Sequence, residues 1–467
     1  MLNITATYTD LYQISMAQVY FQQNKHQHKA VFDYFFRKLP FEGGYAIFAG
    51  LETLLEALKN FKFSTDDIEY LKSQNFDQDF LNYLKDFKFK GNIYSSKEGD
   101  IIFPTRPIIQ VEANMVEAQL IETLLLNILN FQTLIATKAN RIRKSAEDAK
   151  LIDFGMRRAQ STGAYFASRA AFIGGFDATS NVTAGRDFSI PISGTMAHSF
   201  VQSYDDELNA FRDFAKSHPE NTVLLIDTYD TLKSGLPNAI KVGLEMKSRN
   251  EKLKGIRLDS GDLSYLAKKC RKALDEAGLS DVKIAASNQL DEYVIKSLKE
   301  QNGPIDVFGV GTNLVIGNPD GALDGVYKLA FADGEPRIKL SENLSKLTLP
   351  HRKQVFRIRN SKGELAGADA IALKDEKTIC KMNHPFDFSK TVEFTNCSAE
   401  PLLNEVMREG EISIETESLS EIKKYSKSRL NELPEEFKRF ENPHIYKIGI
   451  TDELMDEREK LRSKYKK

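Results

Sequence analysis

Gly255-Ile256-Arg257-Leu258-Asp259-Ser260-Gly261-Asp262 reads as a short apolar strand that ends in charge. Arg257 and Asp259 are two apart, so on a strand they face the same side. Six further segments share the design, with Asp, Gly, Arg, Thr, Asn or Ser at or just after the end of an apolar run. They are 151–155 (LIDFG), 171–177 (AFIGGFD), 192–195 (ISGT), 223–227 (VLLID), 283–287 (KIAAS, followed by Asn288) and 305–309 (IDVFG). Helix-like stretches, such as 205–217 and 263–277, separate several of them. Buried parallel strands read as short apolar runs. Polar residues gathered at their carboxyl ends are where an α/β barrel keeps its chemistry. The expected fold class is therefore α/β, with a barrel of parallel strands over 151–312.

At 467 residues the chain is too long for one ordinary core, so more than one structural unit is expected. Residues 1–114 read as an N-terminal α+β region. It has a helix that begins with 9–12 (TDLY), with Thr9 as N-cap, and runs to Phe21, a strand over 30–36, a helix over 51–58 and a strand or edge segment over 101–112. Residues 115–149 read as one long helix with a basic end (Lys138, Arg141, Arg143, Lys144), and it opens the barrel region, 115–330. The remainder, 331–467, starts as short strands with Asp333-Gly334 and 360–363 as turns. It then reads as charged and helix-prone, closing on a solvated tail with Arg462, Lys464, Lys466 and Lys467.

A net charge of −2 supplies no global field for nucleic acid or an anionic membrane. Three cysteines, Cys270, Cys380 and Cys397, argue for a reducing compartment and against a disulfide framework. Residues 1–10 lack an apolar signal core, and the apolar stretch 123–137 is too short to span a bilayer comfortably. A cytoplasmic protein with no nucleic-acid or membrane partner is the expectation.

The strand ends supply the chemistry. In 194–199 (GTMAHS), Gly194-Thr195 offers N–H groups and a hydroxyl to an anion. His198 is a candidate nucleophile or general base near neutral pH. Arg257 suits a carboxylate or phosphate, and Asp259 suits ribose hydroxyls or Mg²⁺. Asp262 can cap the following helix. In 308–313 (FGVGTN), Gly309 and Gly311 permit close backbone approach to a phosphate, beside Thr312. Ser287 and Asn288 can share that task. Asp227 and Asp230 suit ribose, metal or helix capping. Phe154 offers an aromatic face or core packing, with Arg157 beyond it. Cys380, His384 and Cys397 fit no zinc pattern. No lysine stands at these strand ends, which argues against a Schiff-base aldolase. A binding protein without turnover is the non-enzymatic alternative.

Together, residues 9–12 (TDLY), 32–50, 153–158 (DFGMRR), 194–198, 227–230 (DTYD), 257–262 and 309–312 (GVGT) closely resemble nicotinate phosphoribosyltransferases. The resemblance implies the type II phosphoribosyltransferase fold: an irregular, TIM-like α/β barrel with a second α+β domain built from N-terminal and C-terminal regions. It also implies a homodimer with active sites at the interface. The family joins nicotinate to 5-phosphoribosyl 1-diphosphate, giving nicotinate mononucleotide and diphosphate for NAD synthesis. ATP hydrolysis is coupled to this through a phosphohistidine, which His198 matches, with Mg²⁺ as the metal. By the same resemblance, Tyr12 and Phe154 sandwich the pyridine ring, with Tyr12 reaching across the dimer. Thr195 and Arg257 hold the nicotinate. Asp259 meets ribose or Mg²⁺, Gly311 and Thr312 the 5-phosphate, Arg157 the substrates, and Asp177 is a pocket carboxylate.

Overall fold

The structure, a computed structural model, describes residues 4–341, 348–387 and 389–465. Lys466 and Lys467 of the basic tail lie outside them. The chain forms two compact units, one of Met1–Leu134 with Ala322–Lys467, the other of Ile135–Gly321. The first boundary thus falls inside the helix Glu122–Ala146, and not at 114. The second lies at 321, ahead of the strand Gly325–Ala332, and not at 330.

The unit of Ile135–Gly321 holds a sheet of six parallel strands: β1 (Lys150–Asp153), β2 (Ala178–Thr179), β3 (Val223–Leu225), β4 (Gly255–Leu258), β5 (Lys283–Ser287) and β6 (Val307–Val310). Their order is β2-β1-β6-β5-β4-β3. Except for β2 and β3, each strand lies beside its neighbour in sequence, and the last, β6, pairs with the first. This is the circular order of a barrel, cut between β2 and β3. Among the described residues no ladder joins those two edges. The free edge of β2 carries a single parallel bridge, Thr179 to Ile192. Leu151, Leu224, Ile256, Ile284, Ala286 and Phe308 are buried, as two-sided burial requires of such strands.

Two of the seven expected strands differ. Residues 171–173 are the end of the helix Thr162–Ile173, and the strand lies later, at Ala178–Thr179. Ala164, Ala167, Ala170 and Ala171 are buried along that helix, and alanine has the highest helix propensity. Gly174 follows it as the C-cap, where a Cβ would lie 2.3 Å from the carbonyl oxygen of Ala136. Residues 192–195 form only the bridge at Ile192.

The basic end of the long helix is structural. Lys138 and Arg141 are buried against Glu292, with Nζ and Nε at 2.5 and 2.8 Å from its oxygens.

In the other unit, a seven-stranded antiparallel sheet takes strands from both ends of the chain. Lys29–Phe36 lies between Gly325–Ala332 and Ile109–Asn114, and Asn92–Ser95 pairs with Asn404–Arg408. Phe32, Tyr34, Phe36, Leu54, Phe80 and Leu84 belong to its core. The expected segment 101–112 splits into Ile101–Ile102 and Ile109–Asn114, with Pro104 and Pro107 between them. The expected helix over 115–149 is interrupted at Ile121. The first helix starts at Leu11 with Asp10, not Thr9, as its N-cap.

The C-terminal portion carries more strand than its charge implies. Lys353–Arg359 and Leu365–Leu373 pair across the expected turn at 360–363, and Lys447–Ile450 adds in parallel to a six-stranded sheet. Helices follow at Leu419–Glu432, closed by a Ser418/Glu421 capping box, and at Asp452–Tyr465. No helix among the described residues is long and apolar enough to cross a membrane.

Candidate active site

The carboxyl ends of β3, β4 and β5 bring Arg257, Asp259 and Ser287 together, with Thr195 and His198 from the segment after the Ile192 bridge. Arg257 sits on β4 and anchors the cluster. Its Nε donates to Ser287 Oγ at 2.9 Å, its Nη1 to Thr195 Oγ1 at 3.0 Å, and its Nη2 to Asp259 Oδ1 at 2.9 Å. The guanidinium also lies 5.3 Å from the centroid of the Phe154 ring, within cation–π range. Ser287 Oγ donates to Asp259 Oδ1 as well. Burial alone would raise the Asp259 carboxyl. The Ser287 hydroxyl and the Arg257 charge outweigh it and hold the group below the usual carboxylate range.

His198 opens the short helix His198–Gln202. Its Nδ1 is 3.1 Å from Thr228 Oγ1 and its Nε2 is 3.8 Å from Asp259 Oδ2. Asp227, at the end of β3, ties that strand end to β4. Its Oδ2 accepts from the Asp259 N–H at 2.9 Å and from Ser260 Oγ at 2.6 Å. Its Oδ1 is buried with no hydrogen-bond partner among the described residues.

Phe154 follows β1 and faces β6. Gly309 has to be glycine, because a Cβ there would lie 2.3 Å from the Phe154 ring. Gly311 caps the single turn Thr312–Val315, and Asn313 Nδ2 reaches back to the carbonyls of Gln289 and Leu290 at 3.3 and 3.1 Å. That bond joins the loops after β5 and β6. Asn288 is exposed in the first of these loops at φ 88°, a left-handed conformation that asparagine tolerates.

Arg157 is exposed in the turn after β1. Asp177 precedes β2 at the level of Leu151, toward the amino-terminal end of the sheet. There it accepts the Leu151 N–H at 2.9 Å and pairs with Arg143. These contacts are those of a strand-end clamp. Tyr12 belongs to the other unit and is 49% exposed on its first helix. Asp262 and Asp230 cap helices, Asp262 through the Tyr265 N–H at 3.0 Å and Asp230 through the Lys233 N–H at 2.9 Å. His384 Nδ1 accepts from the Phe386 and Asp387 N–H groups in a turn, and Cys380 and Cys397 are exposed. Thr228 is the residue that sequence reasoning does not single out. Its signal is its place one residue after a strand-end aspartate.

Three family models match the chain: the nicotinate phosphoribosyltransferase N-terminal domain over 7–130, the nicotinate phosphoribosyltransferase family over 149–387, and the C-terminal domain of that family over 352–458. The nicotinate phosphoribosyltransferase of Bacillus subtilis is 47% identical, covering 96% of this chain and 93% of its own length. That of Dictyostelium discoideum is 38% identical, over 97% and 87%. The crystal structure of human nicotinic acid phosphoribosyltransferase superposes with a TM-score of 0.87 at 29% identity, covering 97% of this chain and 99% of that one. With these matches, a chain that has a parallel sheet in one unit and builds a separate α+β unit from its two ends has the fold of a type II phosphoribosyltransferase. Within that class, the chain belongs to the nicotinate phosphoribosyltransferase family.

Proposed function

We propose that this protein joins nicotinate to 5-phosphoribosyl 1-diphosphate, forming nicotinate mononucleotide and diphosphate for NAD biosynthesis. The observation that carries the reading is Arg257, held by Ser287, Thr195 and Asp259 beside the face of Phe154. An aromatic face and a guanidinium side by side suit a flat ring that bears a carboxylate.

In the reaction the pyridine nitrogen lone pair forms the bond to the anomeric carbon as the bond to diphosphate breaks. Phe154 and Tyr12 stack the ring, Tyr12 being contributed across a homodimer. Thr195 and Arg257 fix its carboxylate, so the nitrogen is aimed at the carbon before attack. The oxocarbenium-like transition state places positive charge on the ribose, near the ionised Asp259. Ser287, Asn288, Gly309, Gly311 and Thr312 form the phosphate end, and Arg157 meets the substrates.

Mg²⁺ suits the donors present. Asp259 and the unpartnered Asp227 Oδ1 are carboxylate oxygens of the kind hard cations take. When bound, the ion neutralises charge on the leaving diphosphate. ATP enters as a co-substrate whose γ-phosphoryl group passes to His198, and hydrolysis of that phosphohistidine is coupled to synthesis. The setting is cytoplasmic, without nucleic-acid or membrane partners.

The test is product formation from nicotinate and phosphoribosyl diphosphate with Mg²⁺, with and without ATP, and with nicotinamide in parallel. Nicotinate mononucleotide formed faster with ATP supports the whole reading. Product from nicotinamide alone overturns the base, and equal rates with and without ATP overturn the coupling.

A further inference from the structure

His198 is 40% exposed at its side chain, so packing alone does not fix its ring. Two polar neighbours do: Thr228 Oγ1 at 3.1 Å from Nδ1, and Asp259 Oδ2 at 3.8 Å from Nε2. A neutral imidazole has one N–H and one lone pair, and a hydroxyl can serve either. An ionised carboxylate only accepts. A lone pair on Nε2 would face that carboxylate and be repelled, so the proton belongs on Nε2. Nδ1 then keeps its lone pair, and the Thr228 hydroxyl donates to it.

Both neighbours depend on one clamp. Asp227, the residue before Thr228, accepts from the Asp259 N–H and from Ser260 Oγ. The ends of β3 and β4 are thereby held together, and with them the two groups that flank the ring.

We propose that Thr228 is a positioning residue for His198, whose hydroxyl fixes the orientation of the imidazole so that Nε2 faces Asp259 and Nδ1 keeps its lone pair. The inference deepens the reading of His198 as phosphoryl acceptor and rests on it for its role in the reaction. In the transfer, the Nδ1 lone pair forms the bond to the γ-phosphorus of ATP. The bond from phosphorus to the bridging oxygen breaks, and its electrons leave on ADP. The Nε2 proton stays where it is, facing Asp259. The hydrogen bond from the Thr228 hydroxyl to that lone pair is given up as the nitrogen–phosphorus bond forms.

The experiment is ¹⁵N NMR of histidine-labelled, ligand-free protein, with His198 assigned by its loss in His198→Gln. The expected spectrum has a lone-pair-type Nδ1 and a protonated-type Nε2. Thr228→Val, which keeps the shape and removes the hydroxyl, should move both signals toward a tautomer average. Thr228→Ser should restore them. Thr228→Ala replaces the valine variant if that one unfolds early. In kinetics, the ATP-dependent rate should fall about 10- to 100-fold in Thr228→Val and stay within about threefold in Thr228→Ser, as expected for a misplaced reacting group. Unchanged nitrogen signals in Thr228→Val, or an unchanged ATP-dependent rate, overturn the proposal. Full ATP acceleration in His198→Gln overturns the phosphohistidine reading instead, and the spectra still decide whether Thr228 holds the ring.

Discussion

Arg257 Nη2 donates to Asp259 Oδ1 at 2.9 Å, although only Leu258 separates them in the chain. Arg257 is on β4 and Asp259 directly follows it, and the Ser287 hydroxyl meets both side chains from β5. The guanidinium therefore holds three elements at once, because its donors diverge in a fixed plane.

Arg257→Lys should keep the charge and lose that divergence. A lysine places one ammonium where the guanidinium now serves Ser287, Thr195 and Asp259. The expected result is a fall of roughly 100-fold in kcat/KM for nicotinate, with the thermal midpoint little changed. Steady-state kinetics with circular dichroism melting checks it, and a variant as active as the parent would contradict the assignment.

How much of this was legible in the sequence depends on the range of the interaction. The ends of β1, β3, β4, β5 and β6 were readable because an apolar run closing on Asp, Arg, Ser or Gly is a local signal. The helix Thr162–Ile173 was misread in its last turn, where 171–177 also has a strand-like apolar look. The Asp177–Arg143 pair joins residues distant in sequence, so its clamping role was not readable from residue type. Thr228 shows the same limit, since its partner His198 is thirty residues earlier. In the sheet containing Lys353–Arg359 and Leu365–Leu373, the first strand and the turn at 360–363 were readable, but the buried pairing of Arg357 with Asp369 across it was not.

That pairing is itself testable. Asp100 Oδ1 accepts from Arg357 Nη1 and from Arg429 Nε, both at 2.9 Å. Arg357 and Arg106 also meet the buried Asp369, to which Tyr446 donates at 2.8 Å. Asp100→Asn keeps the shape and removes one of two buried anions facing these arginines. Removing one partner from a buried ionic network costs about 3–5 kcal/mol. Urea unfolding of the purified variant should show a loss of that order, and a midpoint equal to the parent's would contradict the network's role.

The same carboxylate sets a dependence on acid. Burial alone would raise the Asp100 carboxyl, but Arg357, Arg429 and Arg106 together hold it below its ordinary value. A depressed folded value stabilises the protein above the unfolded value, about 3.9, and that contribution is lost as the pH falls through the folded value. The stability gap between the parent and Asp100→Asn should therefore be constant near neutrality and shrink below about pH 4. A gap that stays constant down to pH 2 would show that Asp100 does not titrate in this way.

His198→Ala separates coupling from synthesis. The histidine touches Thr228 and faces Asp259, and the clamp through Asp227 does not include it. The ATP-dependent acceleration should vanish, while nicotinate mononucleotide still forms at a measurable ATP-free rate. Radiolabel from γ-labelled ATP should also fail to reach the protein. Acceleration equal to the parent's would remove His198 from the coupling.

Gly309 and Phe154 form a matched pair. The glycine leaves room for the ring, and a Cβ would meet it at 2.3 and 2.4 Å, too close for any rotamer adjustment of the alanine itself. Gly309→Ala must push the Phe154 ring away from Arg257 or strain β6. Overpacking of this kind costs about 1–3 kcal/mol. Activity should fall with it, since the displaced ring is the one expected to stack on nicotinate. The double variant Gly309→Ala with Phe154→Ala relieves the clash but leaves no aromatic face. Its stability should therefore recover relative to the sum of the single variants, and its KM for nicotinate should stay high. Urea unfolding and initial-rate kinetics on the four proteins read both halves. Additive losses in stability would show that the two residues do not share the space. A normal KM in the double variant would show that Phe154 does not hold the substrate ring.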